Sequence, residues 1–441
     1  LDGASEFGPC TSCGDAVCGG RGCGGCGFGS RPVFYARGEY LLWWFNGMDV
    51  PALVISSNDD VFNFSDPIIF GNTDDVLDSA RSGARVTLGY WLDDYGRLGI
   101  QGDWLGFGAG RLTFVAGSFD SPPPPFIGRP FFDMFPFDDD GDPTTPNVPG
   151  PSVQEVATNN AEGTVAVRAR SEFQAAGVSI RRNLCCISPG CTDCGSSVSC
   201  GSAVGGCDSL GGASPACPMC PLLGTACGRF IHGATRHVDM LYGVRWAQLN
   251  ERLSIDEDLR TLVDVGDSPA GTRFAINDSF ATSNDFIGGE IGFIADWERR
   301  RWSLELLSKL AIGSTRQRAR IYGGTTIRQP GQAADVFPDS GLLVQRSNAG
   351  TYERDQFSVL PQIGVTAGYL MTDRLRLTVG YSLLYWSRVV RPGDVISLDV
   401  DTRQLPPPDP TLDLNVVRPQ FVFRDSDIWA HGLNVGLDYR W

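Results

Sequence analysis

The stretch VLPQIGVTAGYLMTDRLRLTVGYSLLYW, residues 359–386, holds two alternating runs joined by the turn MTDR. In the first, Ile363, Val365, Ala367 and Tyr369 share one face, opposite Gln362, Gly364, Thr366 and Gly368. In the second, Leu377, Val379, Tyr381 and Leu383 oppose Arg376, Thr378, Gly380 and Ser382. Because successive side chains of a strand point to opposite faces, this is a hairpin with one apolar and one polar surface.

The same unit recurs upstream. ARVTLGYWL (84–92) passes through DDYGR into the strand containing Leu98, Ile100 and Trp104, and IGGEIGFIADW (287–297) passes through ERRR into WSLELLSKL (302–310). Further strands read at 34–45, 165–180, 235–249 and 427–441, which brings the expectation to about ten. RLTFVAG, after Gly110, extends one of these or forms another. No apolar run reaches the roughly 20 residues of a transmembrane helix.

Loop lengths then orient the sheet. Short turns follow the second, sixth and eighth strands, whereas links of roughly 30–55 residues follow the odd-numbered ones, the asymmetry of a transmembrane β-barrel. Aromatic side chains stand near the ends of the apolar faces: Tyr40, Trp44, Tyr90, Trp104, Tyr242, Trp246, Trp297, Trp302, Tyr369, Tyr381 and Tyr385. They fit interfacial girdles better than the core of a soluble sandwich. In the last strand, Leu433, Val435, Leu437, Tyr439 and Trp441 alternate with Gly432, Asn434, Gly436, Asp438 and Arg440, the pattern of a C-terminal barrel-assembly signal.

One long link interrupts the short-turn side, the cysteine-rich insert at 183–229. The 14 cysteines fall in two odd-numbered groups: Cys10, Cys13, Cys18, Cys23 and Cys26, then Cys185, Cys186, Cys191, Cys194, Cys200, Cys207, Cys217, Cys220 and Cys227. If all are bridged within one chain, an odd number of disulfides must join the groups. With an even strand number both chain ends lie on the short-turn side, so the groups share the periplasmic compartment. So many cysteines point to an oxidising compartment. Four Cys-x-x-Cys pairs have zinc-like spacing, but Gly-rich spacers without histidine and the adjacent Cys185 and Cys186 favour disulfides. The expected division is a Cys/Gly-rich segment at 1–30, barrel at 31–182, insert at 183–229 and barrel at 230–441. The chain opens on Leu1 with no basic and apolar leader, as a processed chain would.

Acidic residues outnumber basic ones by 51 to 36, for a net charge of −15, which excludes a nucleic-acid surface. The polar faces of the strands carry Arg37, Arg85, Arg168, Arg170, Arg245, Lys309, Arg376 and Arg440 against Glu39, Asp103, Glu172, Asp239, Glu290, Asp296, Glu305 and Asp438. Side chains nearly fill a barrel of this size, and balanced charge in its lumen favours a paired network over a wide selective pore. Asp138, Asp140 and Asp142 form a weak calcium candidate on a long loop that completes no EF-hand; no other cofactor is expected. His237 and Asp239 could activate water, but they sit at the periplasmic start of their strand and no nucleophile motif accompanies them, so no enzyme is expected.

YARGEYLLWWFNGMDVP (35–51), ARVTLGYWL (84–92), FATSNDFIG (280–288), LPQIGVTAGYLMTDRLRLTVGYSLLYWSRVVRPGD (360–394) and the closing DSDIWAHGLNVGLDYRW make the chain resemble the putative beta barrel porin-7 family of planctomycete bacteria. The resemblance implies a barrel in the bacterial outer membrane and transfers no catalytic or binding residue. Lumen charge balance and the small strand number make the expected function an integral outer-membrane barrel, plugged or narrow, with a structural envelope role. It would contact outer-membrane lipid and its own copies in oligomers or arrays, with the aromatic segment 126–137 as one contact. The alternative is a porin for passive diffusion of small solutes.

Overall fold

The computed structural model describes residues 33–58, 62, 66–93, 97–118, 126–135, 149–187, 235–266, 268–415 and 418–441. Ten strands form a closed antiparallel meander: β1 (Phe34–Phe45), β2 (Ala80–Trp91), β3 (Leu98–Phe107), β4 (Ala161–Ile187), β5 (Thr235–Thr261), β6 (Arg273–Arg299), β7 (Trp302–Arg328), β8 (Gly350–Leu370), β9 (Leu375–Val389) and β10 (Ser426–Arg440). Each pairs with the next, and β10 closes onto β1 from Tyr35↔Arg440 to Phe45↔Ala430. Closure leaves no free edge to find a partner within a bilayer.

The residues after Gly110 form a separate strand, Gly110–Gly117. β3 leaves β4 at Gly106↔Gln174, and the chain rejoins β4 at Gly110↔Ser171, so this strand continues the wall above β3.

The strand positions agree with the expectation, but their lengths do not. β4, β5, β6 and β7 are 27 residues each and β8 is 21. Much of what reads as long loop is strand. At about 3.3 Å per residue the longest run about 90 Å, whereas about 9–11 residues cross a membrane. They therefore continue well past it, as the outward faces record. Val178 and Ile180, Tyr242 and Val244, Ile287 and Ile291, and Ile363 and Val365 are exposed apolar residues on that face. Above them every outward residue of β5 from Gln248 to Arg260 is polar. The change falls on one row of directly paired residues, Gln174↔Gln248↔Asp285↔Arg316↔Asp355. Gln174, Gln248 and Asp285 are joined by hydrogen bonds of 3.0 and 2.7 Å.

Above this row the inward face gains a large apolar share, interrupted by buried polar residues such as Glu251, Glu257 and Asp278. Val165, Val167, Leu253, Ile255, Phe280 and Ile321 are all buried, and segments that link the strands pack on them. These include Met48–Val50, Val54–Ser57, Phe126–Asp133 and the run Leu342 to Val344. The aromatic segment expected to be an exposed contact is thus largely interior: Ile127, Arg129 and Phe131 are buried, with Phe132 alone of its strand pointing out.

At the opposite rim the backbone N–H of Phe34 donates to Trp441 O (3.1 Å), and that of Asn183 to Arg97 O (2.9 Å). The start of the barrel, its end and the junction between β4 and β5 therefore share the short-turn side. Asn183 to Ile187 belong to β4, so the insert begins later than 183. Cys185 and Cys186 lie on that strand. The remaining twelve cysteines, the candidate calcium residues Asp138, Asp140 and Asp142, and most of the division at 1–30 and 183–229 fall outside the described residues.

Val435 lies at mid-height of the apolar outer face, between Trp429 and Trp441 on β10. Val435→Arg should lower folding stability by about 2–4 kcal/mol, whereas Ser283→Arg, on the polar outer face above the row, should change it by less than about 1 kcal/mol. Urea titrations of protein folded into vesicles measure the difference.

Candidate functional site: the filled lumen

Within the barrel, polar side chains meet in layers because the inward face of each strand cannot reach lipid or bulk water. Near the short-turn rim, Arg37 donates to both Glu305 oxygens (2.6 and 2.7 Å) and reaches Asp438 (3.4 Å). Arg376 binds Glu298 at 2.6 Å, Arg440 binds Asp438 at 3.0 Å, and Asp296 is buried among them. Across the same level Arg181 binds Asp239 through Nε (2.7 Å) and Tyr35 Oη through Nη1 (3.0 Å), while the tyrosine hydroxyl donates to Gln101 (2.7 Å).

One layer further in, Asp103 accepts from Arg245 and from Lys309, each at 2.6 Å. Glu290 stands 3.1 Å from Lys309 and 3.5 Å from Arg245, and Arg85 faces Glu39 at 3.4 Å. The Arg245 side chain is 0% exposed and that of Lys309 4%. Bidentate and shared contacts of this kind are what make buried charges tolerable. Arg245 also donates to Gln362 (3.2 Å).

An aromatic layer covers this network. Trp43 donates its indole N–H to Asn434 (2.7 Å), which donates to Ser382 (2.7 Å). Phe45, Phe107, Phe173, Phe286 and Trp386 complete the layer with ring centroids 5.0–6.2 Å apart. Trp43, Phe286 and Trp386 are wholly buried. Above it, Arg391 grips Glu251 with two contacts of 2.9 Å, and Arg129 is held by Glu257 and Asp278. Charged, aromatic, charged and apolar layers thus succeed one another along the barrel axis.

Of the residues the sequence assigns to the lumen, Arg37, Glu39, Arg85, Asp103, Asp239, Arg245, Glu290, Asp296, Glu305, Lys309, Arg376, Asp438 and Arg440 lie on the inward face. Arg168, Arg170 and Glu172 do not. Their side chains are 55%, 54% and 43% exposed on the outer face, where Arg168 pairs with Asp256 and Arg170 with Glu172. The polar face of β4 is inward below the edge row and outward above it, and these three stand above it.

Arg181 and Glu251 are lumen charges that the sequence reading misses, although each continues the inward alternation just beyond the expected strand end. Arg129 and Arg391 come from segments without a period, and no local signal marks them. His237 and Asp239 both face inward at the rim, with Asp239 bound to Arg181 and Asn183 (2.6 Å to the latter). Leu433, Val435, Leu437, Tyr439 and Trp441 are exposed on the outer face, with the Trp441 ring 4.3 Å from that of Phe34.

The family model described as Putative beta barrel porin-7 matches residues 35–441. Among solved structures, the outer membrane protease OmpT from Escherichia coli is similar at 8% identity and a TM-score of 0.37, covering 92% of this chain and 96% of that one. A FadL homologue from Pseudomonas aeruginosa is similar at 7% identity and a TM-score of 0.21, covering 93% and 90%. The toluene transporter TodX of P. putida is similar at 9% identity and a TM-score of 0.14, covering 92% and 90%. No curated protein matches the sequence.

Removing Asp103 leaves Arg245 and Lys309 buried with Glu290 as their one remaining carboxylate. Asp103→Ala should destabilise the folded barrel by about 3–5 kcal/mol. Denaturant titration in detergent or vesicles checks it, with Asp373→Ala at the exposed β8–β9 turn as the comparison expected near zero.

Proposed function

The chain belongs to the putative beta barrel porin-7 family and lies in the bacterial outer membrane, and from that premise we propose that it is a closed barrel with a structural role in the cell envelope. The observation that carries the reading is the stack of buried lumen layers. A diffusion channel needs a continuous wet path, whereas Arg245, Trp43, Phe286 and Trp386 are inward side chains at most 1% exposed. The projecting wall supports the same reading, since its apolar concave side is spent on packing the chain's own segments. A rigid body is thereby presented above the membrane.

In this reading the two cysteine groups form a disulfide-rich cap on the short-turn rim. Its support is that the described chain start and the end of β4 leave the barrel on the same side. Such a cap holds neighbouring copies at one height, where they would assemble into oligomers or arrays. Bound metal, calcium included, and catalysis form no part of the reading. The family description favours passive diffusion of small solutes as the second reading.

Single-channel recording in planar bilayers separates the two. The closed barrel should give no sustained openings, and the triple substitution Trp43→Ala, Phe286→Ala, Trp386→Ala should raise conductance. Steady large openings from the unaltered protein would establish the porin reading instead. For the cap, non-reducing peptide mapping should find at least one of Cys10, Cys13, Cys18, Cys23 and Cys26 linked to a cysteine of the insert. Five free or metal-bound N-terminal thiols would sink it.

A further inference from the structure

The outer face just above the edge row carries a concentration of arginine that neither the lumen nor the cap explains. Arg170 on β4 is directly opposite Arg111 on the strand Gly110–Gly117, and on its other side directly opposite Arg252 on β5. The row continues through Ala281 to Arg320 on β7. Like charges placed directly opposite one another on neighbouring strands repel. Here three occur in succession, in a chain whose net charge is −15.

Nearby carboxylates relieve Arg170 alone, through Glu172. Asp256 is taken by Arg168, Asp258 by Arg273, Glu162 by Arg260, and Glu353 by both Arg316 and Arg318. Arg170 has Glu172, at 3.0 Å from its Nε. Arg111, Arg252 and Arg320 have no carboxylate within ion-pair distance among the described residues. Arg252 and Arg320 instead both lie over the ring of Tyr322, 5.6 and 4.8 Å from its centroid, which fixes the two guanidinium groups without neutralising them.

A cavity of about 540 Å³ opens on the same outer face directly beneath the row, where β3 parts from β4. Ser82, Gln174, Gln248, Asn250 and the Arg170-paired carboxylate of Glu172 line it together with Trp104, Phe107 and Phe173, so its wall offers hydrogen-bonding groups and aromatic surface. The arginine row stands four residues above the edge row on each strand. At about 3.3 Å per residue and a tilt near 40°, that places it about 10 Å above the apolar band, at headgroup depth.

We propose that Arg111, Arg170, Arg252 and Arg320, with the cavity below them, bind the phosphorylated headgroup of an outer-leaflet glycolipid. Guanidinium groups suit phosphate because their donors match its oxygens in pairs. The three directly opposed arginines span two strand spacings, about 10 Å, more than one phosphate can bridge. A headgroup carrying two phosphates on a sugar backbone bridges that span, and its sugar fits the polar cavity. The site lies on the outer wall and does not depend on whether the lumen conducts.

The test measures binding of bisphosphorylated lipid A to the purified full chain in detergent, beside fully dephosphorylated lipid A and inorganic pyrophosphate. Saturable binding of the bisphosphorylated lipid is expected, weakened about 100-fold in the double variant Arg111→Ala, Arg252→Ala and unchanged in Arg97→Ala at the opposite rim. Both variants alter exposed side chains, and an unchanged thermal midpoint confirms folding. Equal binding of the dephosphorylated lipid, or undiminished binding by the double variant, would overturn the proposal. Pyrophosphate binding as tightly as the lipid would overturn the lipid source and leave a free-anion site.

Discussion

The long strands are governed by a change of solvent at one row of residues, Gln174, Gln248, Asp285, Arg316 and Asp355. Below it the outer face meets hydrocarbon, so apolar side chains point out and charges are forced inward. Above it the outer face meets water, and the same parity carries polar side chains out and apolar ones in. Between neighbouring long strands the backbone ladder passes through this boundary without a break. β5, for instance, pairs continuously with β6 from Thr235↔Glu298 to Arg260↔Arg273. One continuous strand is thereby asked to satisfy two opposite hydrophobic patterns.

The lumen and the projecting wall follow from that demand. Charges turned inward below the row cannot be hydrated in bulk, so they survive by sharing partners, as Asp103 does with Arg245 and Lys309. Apolar residues turned inward above the row need cover, and the five long strands cannot supply it to one another because they form one curved sheet. Segments that link the strands, most of them from the shorter half of the barrel and one from between β7 and β8, fold over them instead. Burial of Met48, Val54, Phe131 and Leu343 against Val165, Leu253 and Ile321 is the result. The aromatic layer around Trp43 and Trp386 sits where the two regimes meet, suited to both because an indole offers an apolar face and one N–H.

Strand number, order and the shared rim of the first and last strand ends were legible in the sequence, because inside the bilayer one face must be apolar and the alternation is strict. Strand length was not. Above the edge row the outward residues Arg168, Arg170, Arg252 and Arg320 read as loop or as lumen to an eye following the membrane pattern. Nothing in a short window marks the inversion; it becomes visible when Val165, Val167 and Ala169 are seen to occupy the parity that Gly177 and Ser179 hold further down β4. Most lumen charges were found by parity alone. Arg129 and Arg391 were not, since they arrive from segments whose place is set by the packing of the whole wall.

The inversion also explains why cations gather where they do on the outer surface. A strand leaving hydrocarbon needs polar outward residues at once, and arginine supplies a charged head on a stem long enough to bridge rows. Each of Arg168, Arg273 and Arg260 meets a carboxylate across a strand pair, so solubility of the wall is served by balanced charge. Solubility alone would be served equally well by alternating signs along the row from Arg111 to Arg252. Three arginines directly opposed repel one another, and only Arg170 has a carboxylate partner, so an added anion beside Arg111 and Arg252 would relieve the rest. The outer face at headgroup depth is where a membrane supplies one.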